Sequence, residues 1–558
     1  MSRLILPRFN RRAVLQTVMV GGLAACVTTK AGKAGDGASG PPIVETSAGK
    51  VWGVVDHGVH AFKGIPYGAP TGGKARFLPP KAVAPWAGIK ETVAYGHPSP
   101  QGRPSNLPAP PPPAPGAPRS LISMAQTETA SEDCLALNLW TPAIDARKRP
   151  VMFWIHGGGF STGSGASPWY DGVNLAAKQD VVVVTINHRL NVFGYLYLGD
   201  EGEYADSANA GMLDIVLALK WVKANIDNFG GDPSRVMIFG ESGGGRKTSS
   251  MMGLTPAQGL FQRCVAESGC QLRLESKAVA MERTEKLLKG LGLAKGDYAG
   301  LQSASVDALL AAGAAAQVGT GQFRPVAGTP SAPAHPFDPA APVMSANVPM
   351  IVGSNRTEAS VFLGTDPKVI QLDEAGLQGR VQALTPPGEG PGVIAMYRRL
   401  CPQSGNSEIL YMATTDRGYF LDTTILAGRK ADQGRAPVWS YSFYRHTPVE
   451  GGRYFTPHAS VIPFVFDNLA KATAIGGEPT PAAQKLADEM SAAWANFARL
   501  GDPNRAGVTP WPKYNSATCP TMIWDEPSRV ENDPRGVQRK KMLSFGSQQY
   551  DEREPGPT

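Results

Sequence analysis

Four short, almost wholly apolar runs recur along the chain: Val151–Ile155, Val181–Ile186, Val236–Phe239 and Pro349–Val352. Each is rich in β-branched, aromatic or large apolar residues and lacks the polar alternation of a half-solvated strand. Each therefore predicts a strand buried on both faces. Stretches of helical character, such as Leu213–Phe229, lie between them. This alternation predicts an α/β chain with a mostly parallel central sheet flanked by helices. A segment from about Ala278 to Phe337 is rich in Ala and Leu and reads as further helix. Pro104–Pro118 is a proline tract, read as an extended surface loop or as a lid over a binding site.

The chemistry sits where strands end. Val236–Phe239 runs into Gly240-Glu241-Ser242-Gly243-Gly244. This is the strand–turn–helix pattern that lifts a serine hydroxyl over the edge of a sheet, with Arg246–Met252 continuing as helix. Val151–Ile155 runs into His156-Gly157-Gly158-Gly159-Phe160, a loop whose backbone N–H groups can meet a developing oxyanion. The expected donors are Gly158, Gly159 and Gly243, the last being the residue after the nucleophile. His156 is read as shaping the loop.

A serine nucleophile needs a base and a carboxylate, and on this fold they follow in the order Ser, acid, His. Two of the eight histidines lie late in the chain. His458 precedes an apolar segment and is the better base; His446, at a strand end, is the alternative. Glu358 lies just past the Pro349–Val352 strand, where α/β sheets gather chemistry, with Asp366 as fallback. Glu241, beside the nucleophile, is expected to line the pocket and tune its charge.

With these parts assembled, the chain resembles the type-B carboxylesterase/cholinesterase-like family of α/β-hydrolases, in its bacterial branch. The resemblance rests on Phe62-Lys63-Gly64-Ile65-Pro66-Tyr67, Arg76-Phe77, Ser131-Glu132-Asp133-Cys134-Leu135-Ala136-Leu137-Asn138 and Asn187-His188-Arg189-Leu190. Leu213-Asp214, Asn228-Phe229-Gly230-Gly231-Asp232-Pro233, the serine turn and Trp494-Ala495-Asn496-Phe497-Ala498 follow in the family's order. It implies a triad of Ser242, Glu358 and His458, the three oxyanion donors above, structural ion pairs Arg76–Glu132 and Arg189–Asp214, and a helical cap over the pocket. It further implies a serine carboxylesterase working through an acyl-enzyme on small-molecule esters, with no metal and no cofactor. An amidase, lactonase or detoxifying hydrolase with the same triad is the alternative, and a non-catalytic binding member the more distant one. Four features depart from the family. Gly243 stands where Ala is usual, and Arg246-Lys247 replaces a small pair. Ser99 stands near the place of the partner cysteine, leaving Cys134 free. The proline tract replaces the region that carries a choline-binding tryptophan, which argues against cholinesterase activity.

At 558 residues and 42% hydrophobic, the chain can bury a large core, and residues 42–550 are read as one catalytic domain. The net charge of +7 falls to +3 without Arg3, Arg8, Arg11 and Arg12, and no basic stripe points to nucleic acid. Those arginines lie in residues 1–25, which read as a twin-arginine-like export signal with an apolar stretch, Ala13–Ala25, too short to span a membrane. Leu23-Ala24-Ala25-Cys26 resembles a lipobox, which implies lipidation at Cys26, a periplasmic location and an outer-membrane tether. Residues 26–41 read as a flexible spacer and 551–558 as a disordered tail. Of the remaining cysteines, Cys264 and Cys270 are close enough in sequence for a disulfide to be considered.

Overall fold

In the computed structural model, residues 40–102, 121–122, 128–506 and 508–550 are described. The export signal, Cys26, nearly all of the spacer, the proline tract and the tail lie outside them. The chain divides into Met1–Gly40 and Pro41–Thr558, and every element described belongs to the second unit.

Among the described residues, fourteen strands form. The first five are β1 (Ile43–Thr46), β2 (Gly49–Trp52), β3 (Val54–Asp56), β4 (Val59–Pro66) and β5 (Ile89–Glu91). Next come β6 (Ala136–Thr141), β7 (Arg149–Trp154), β8 (Val182–Ile186), β9 (Gly231–Glu241) and β10 (Arg263–Glu267). β11 (Met350–Asn355), β12 (Val438–Phe443), β13 (Pro520–Trp524) and β14 (Arg529–Asn532) complete the set; the four apolar runs appear in β7, β8, β9 and β11. Eleven make one sheet in the order β14-β13-β12-β11-β10-β9-β7-β8-β6-β4-β3, and β1, β2 and β5 make a small second sheet. The seven strands from β13 to β8 are mutually parallel, with antiparallel strands at both margins.

Burial on both faces follows from the apolar runs. In β7 and just beyond it, Val151, Phe153 and Ile155 join one hydrophobic cluster, while Met152 and Trp154 join another. Successive side chains of a strand point to opposite faces, so one continuous run supplies both cores. Register aligns the strand ends: Trp154 pairs with Phe239, and Glu241 with Glu267. The turns after β7, β9, β10 and β11 therefore open at one edge, and the strand order reverses at β7, the position where open α/β sheets bind ligands.

The Ala- and Leu-rich segment is only partly helical. Helices span Lys277–Leu291, Tyr298–Ser303 and Val306–Ala316, and residues 317–337 are irregular. Gly319, Gly321, Pro325, Gly328, Pro330 and Pro333 interrupt the pattern there. Cys264 and Cys270 form no disulfide; both are buried free thiols, as is Cys134. Ser99, near the place of the missing cysteine, instead accepts a hydrogen bond from Leu190 N–H at 3.2 Å. Among the described residues, no helix is long and apolar enough to cross a membrane.

Candidate active site

β9 ends at Glu241, and Ser242 adopts φ 60°, ψ −124°, a conformation that residues with a side chain avoid. The helix Gly243–Met251 begins on the next residue. Neighbours hold the turn in place. Ser242 N–H donates to the Glu267 carbonyl at 2.9 Å. A Cβ on Gly244 would stand 2.0 Å from the Ile155 carbonyl oxygen, so only glycine lets the turn pack this closely on the end of β7. The Glu267 side chain accepts from Trp494 Nε1–H at 2.6 Å, and burial pushes its carboxyl up to about 8.

Beyond β7 the chain passes through Gly158 and Gly159 with φ of 85° and 61°. The N–H groups of Gly158, Gly159 and Gly243 donate to no protein acceptor among the described residues. His156 is buried and stacks on His188, ring centroids 4.8 Å apart. Its Nδ1–H donates to the Gly157 carbonyl at 2.9 Å. Burial, reinforced by the Lys247 charge, lowers its pKa to about 3, so it is a neutral structural ring.

On the other side of Ser242, Glu358 follows β11 after one tight turn. Its Oε1 accepts Asn355 N–H at 2.5 Å, and its Oε2 accepts His458 Nδ1–H at 2.6 Å. Both side chains are buried. Burial acts to lower the His458 pKa, but Glu241, Glu358 and the hydrogen bond to Glu358 outweigh it, and the net shift is upward. Glu241 is nearer the imidazole than its place in the pocket suggested. Its Oε1 accepts Ala459 N–H at 3.0 Å and lies 3.3 Å from His458 Nε2. Burial is the main cause that pushes Glu241 up to about 7; the His458 charge opposes it and Glu358 reinforces it. His458 Nε2 makes no hydrogen bond, to Ser242 or to any other described residue. Such contacts often tighten only when substrate is bound.

Ser242 and His458 line one cavity of about 780 Å³. Tyr95, Phe160, Tyr170, Phe362, Tyr419 and Ile462 make much of its wall, with Arg246 and Gln322 among its polar residues. Rings of Phe362 and Tyr419 stand 5.2 and 5.1 Å from the imidazole. Tyr419 sits on a one-turn π-helix, Asp416–Phe420, a wide turn often found at functional sites. Asp416 anchors it through Tyr397 and Arg535.

The alternatives lie elsewhere. His446 is exposed and meets Phe455 edge-on. Asp366 caps the helix Pro367–Ile370 and pairs with Arg380. Glu241, Glu358 and His458 bring three ligand-type atoms within 4.8 Å of one another, the only such group among the described residues. Their oxygens already take N–H groups from Asn355, Ala459 and His458, so the cluster is occupied with its own hydrogen bonds.

The pattern of the family described as "Carboxylesterase family" matches residues 40–540. The chain is 35% identical to the para-nitrobenzyl esterase of Bacillus subtilis (strain 168), over 90% of this chain and 98% of that protein. The chain belongs to the carboxylesterase family. It is a carboxylic ester hydrolase with the α/β-hydrolase fold. It is also 29% identical to the phenmedipham hydrolase of Pseudarthrobacter oxydans, over 88% of this chain and 97% of that one. The solved carboxylesterase of Geobacillus stearothermophilus superposes with a TM-score of 0.76 at 36% identity, covering 89% of this chain and 99% of that one.

The ion pairs implied by the resemblance form. Arg76 grips Glu132 with contacts of 2.6 and 2.7 Å, and Arg189 grips Asp214 at 2.7 and 2.9 Å with both side chains buried. Gln322, Glu267 and Tyr419 carry no motif in the sequence, and only folding brings them to the site; Lys247, five residues after Ser242, shows in the sequence only as a departure from the family's small residue.

Proposed function

We propose that Ser242 is the nucleophile of this esterase, His458 its general base and acid, and Glu358 the carboxylate that fixes the imidazole. The hydrogen bond from His458 Nδ1 to Glu358 carries this reading. It leaves Nε2 as the acceptor, in the same cavity as Ser242. His458 Nε2 takes the Ser242 proton as Oγ attacks the ester carbonyl. Gly158, Gly159 and Gly243 N–H groups hold the oxyanion, each contributing about 3–4 kcal/mol by analogy with an oxyanion donor deleted from a protease. His458 then protonates the departing alcohol, and water hydrolyses the acyl-enzyme by the same route. The aromatic wall and the volume favour esters with a bulky, largely apolar alcohol or acyl part, in keeping with the para-nitrobenzyl esterase named above.

The test is turnover of p-nitrophenyl acetate, butyrate and octanoate and of p-nitrobenzyl acetate, beside Ser242→Ala. Loss of turnover in the variant supports the assignment; equal rates overturn it. We also propose that the protein is exported and tethered to the outer membrane through Cys26, on the strength of Arg11-Arg12 and Leu23-Ala24-Ala25-Cys26. Metabolic labelling with a fatty acid should mark the native chain and not Cys26→Ser, and equal labelling of the two would exclude the tether.

A further inference from the structure

The helix after the nucleophile carries a lysine where the family has a small residue. Lys247 is fully buried. Its Nζ donates to the Gly159 carbonyl at 2.8 Å and to the His156 carbonyl at 3.2 Å, and it lies 5.5 Å from the centre of the Phe160 ring. All three partners belong to the loop that carries the oxyanion donors. No carboxylate pairs with it among the described residues, and burial pushes its pKa down to about 7. The titratable groups it influences most directly are His156 and His188, both lowered chiefly by burial. An ammonium taken out of water needs compensating partners, and here they are loop carbonyls.

An independent observation concerns Gly243. A Cβ at this position would stand 2.1 Å from the Gly159 oxygen and 2.5 Å from its nitrogen. The Gly159 backbone thus fills the space that the family's usual alanine methyl would take. Gly243 and Lys247 are four residues apart, on the same face of one helix. From the cap side Gln322 closes on the same place, accepting Phe160 N–H at 3.3 Å.

We infer that Gly243 and Lys247 form a clasp for the oxyanion loop: the glycine makes room for the Gly159 peptide, and the lysine holds its carbonyl, so that the Gly158 and Gly159 N–H groups are fixed towards Ser242. Lys247 is thus a positioning residue. The two departures from the family pattern are one device. This rests on the oxyanion-hole assignment proposed above.

The test compares wild type, Lys247→Met, Gly243→Ala and the double variant on p-nitrophenyl butyrate, with Ser242→Ala as control. A misplaced hole weakens transition-state binding with little effect on the ground state. Each single variant should therefore lose about 10–100-fold in kcat while KM stays within about threefold. The double variant should fall well short of the product of the two losses, because both break the same contact. Unchanged kcat in Lys247→Met, a loss confined to KM, or multiplicative losses would overturn the clasp while leaving the esterase reading intact. A wild type without Ser242-dependent turnover would overturn both. Should Lys247→Met fail to fold, Gly243→Ala decides alone, since it restores the residue common in the family: wild-type kcat there would show that Gly159 needs no such room.

Discussion

Ser242 is flanked by two regions built on opposite principles. On the His458 side, three titratable side chains, Glu241, Glu358 and His458, meet within hydrogen-bonding distance and raise the imidazole pKa against burial. On the Gly158–Gly159 side the proposed chemistry belongs to backbone N–H groups, and the side chains beneath are neutral stacked histidines and a lysine that donates to loop carbonyls. In the proposed mechanism the first region moves a proton, so its charges must change. The second, as proposed, receives a charge, so its dipoles must stay still. Damage to the two sides should therefore look different: a displaced acid limb of the imidazole on one, lowered kcat with that limb in place on the other.

Ser242→Ala belongs to both regions and should lower kcat by about 10⁴–10⁶-fold in ester turnover. Glu358→Gln should cost about 10²–10⁴-fold, because the imidazole loses the carboxylate charge that fixes its tautomer and stabilises its protonated form. Asp214→Asn strikes the buried pair with Arg189. Removing one partner of a buried pair leaves Arg189 uncompensated, and thermal or urea unfolding should show a loss of about 3–5 kcal/mol. Glu241→Gln should have a smaller effect, seen in the pH profile. His458 must be neutral to accept a proton, and its raised pKa puts the acid limb of kcat/KM above that of a free imidazole. Without the Glu241 carboxylate that limb should move to lower pH. An acid limb that stays put would show that Glu241 does not tune the base. Tyr419→Phe, which leaves the ring beside His458, should change kcat by less than about tenfold.

How much of this is legible in the sequence depends on where each contact runs. The apolar runs predict the parallel strands because burial on both faces leaves its mark within four to six residues. Ser242 and the Gly158–Gly159 loop are marked by the glycines that strained turns require. His458 and Glu358 are reached through chain order and their position after strands. Residues 317–337 lie in the segment read as helix, yet they hold only three Ala and no Leu, and their Gly and Pro residues interrupt the pattern, so no helix forms. The roles of Lys247 and Gln322 leave no local trace, because their partners lie 88 and 162 residues away along the chain. Glu241 is legible as a pocket residue, but its closeness to the imidazole depends on how the loop around Ala459 folds back onto the strand end.

The separation of the site along the chain also has a consequence in time. Ser242 precedes His458 by 216 residues, and the two meet only when β11 and β12 have joined the sheet between them. At roughly 5–20 residues per second of synthesis, Ser242 exists for about 10–40 s before its proposed base has even been made. A growing chain therefore carries an ordinary hydroxyl, and hydrolytic power arrives late, with nearly the whole domain already translated.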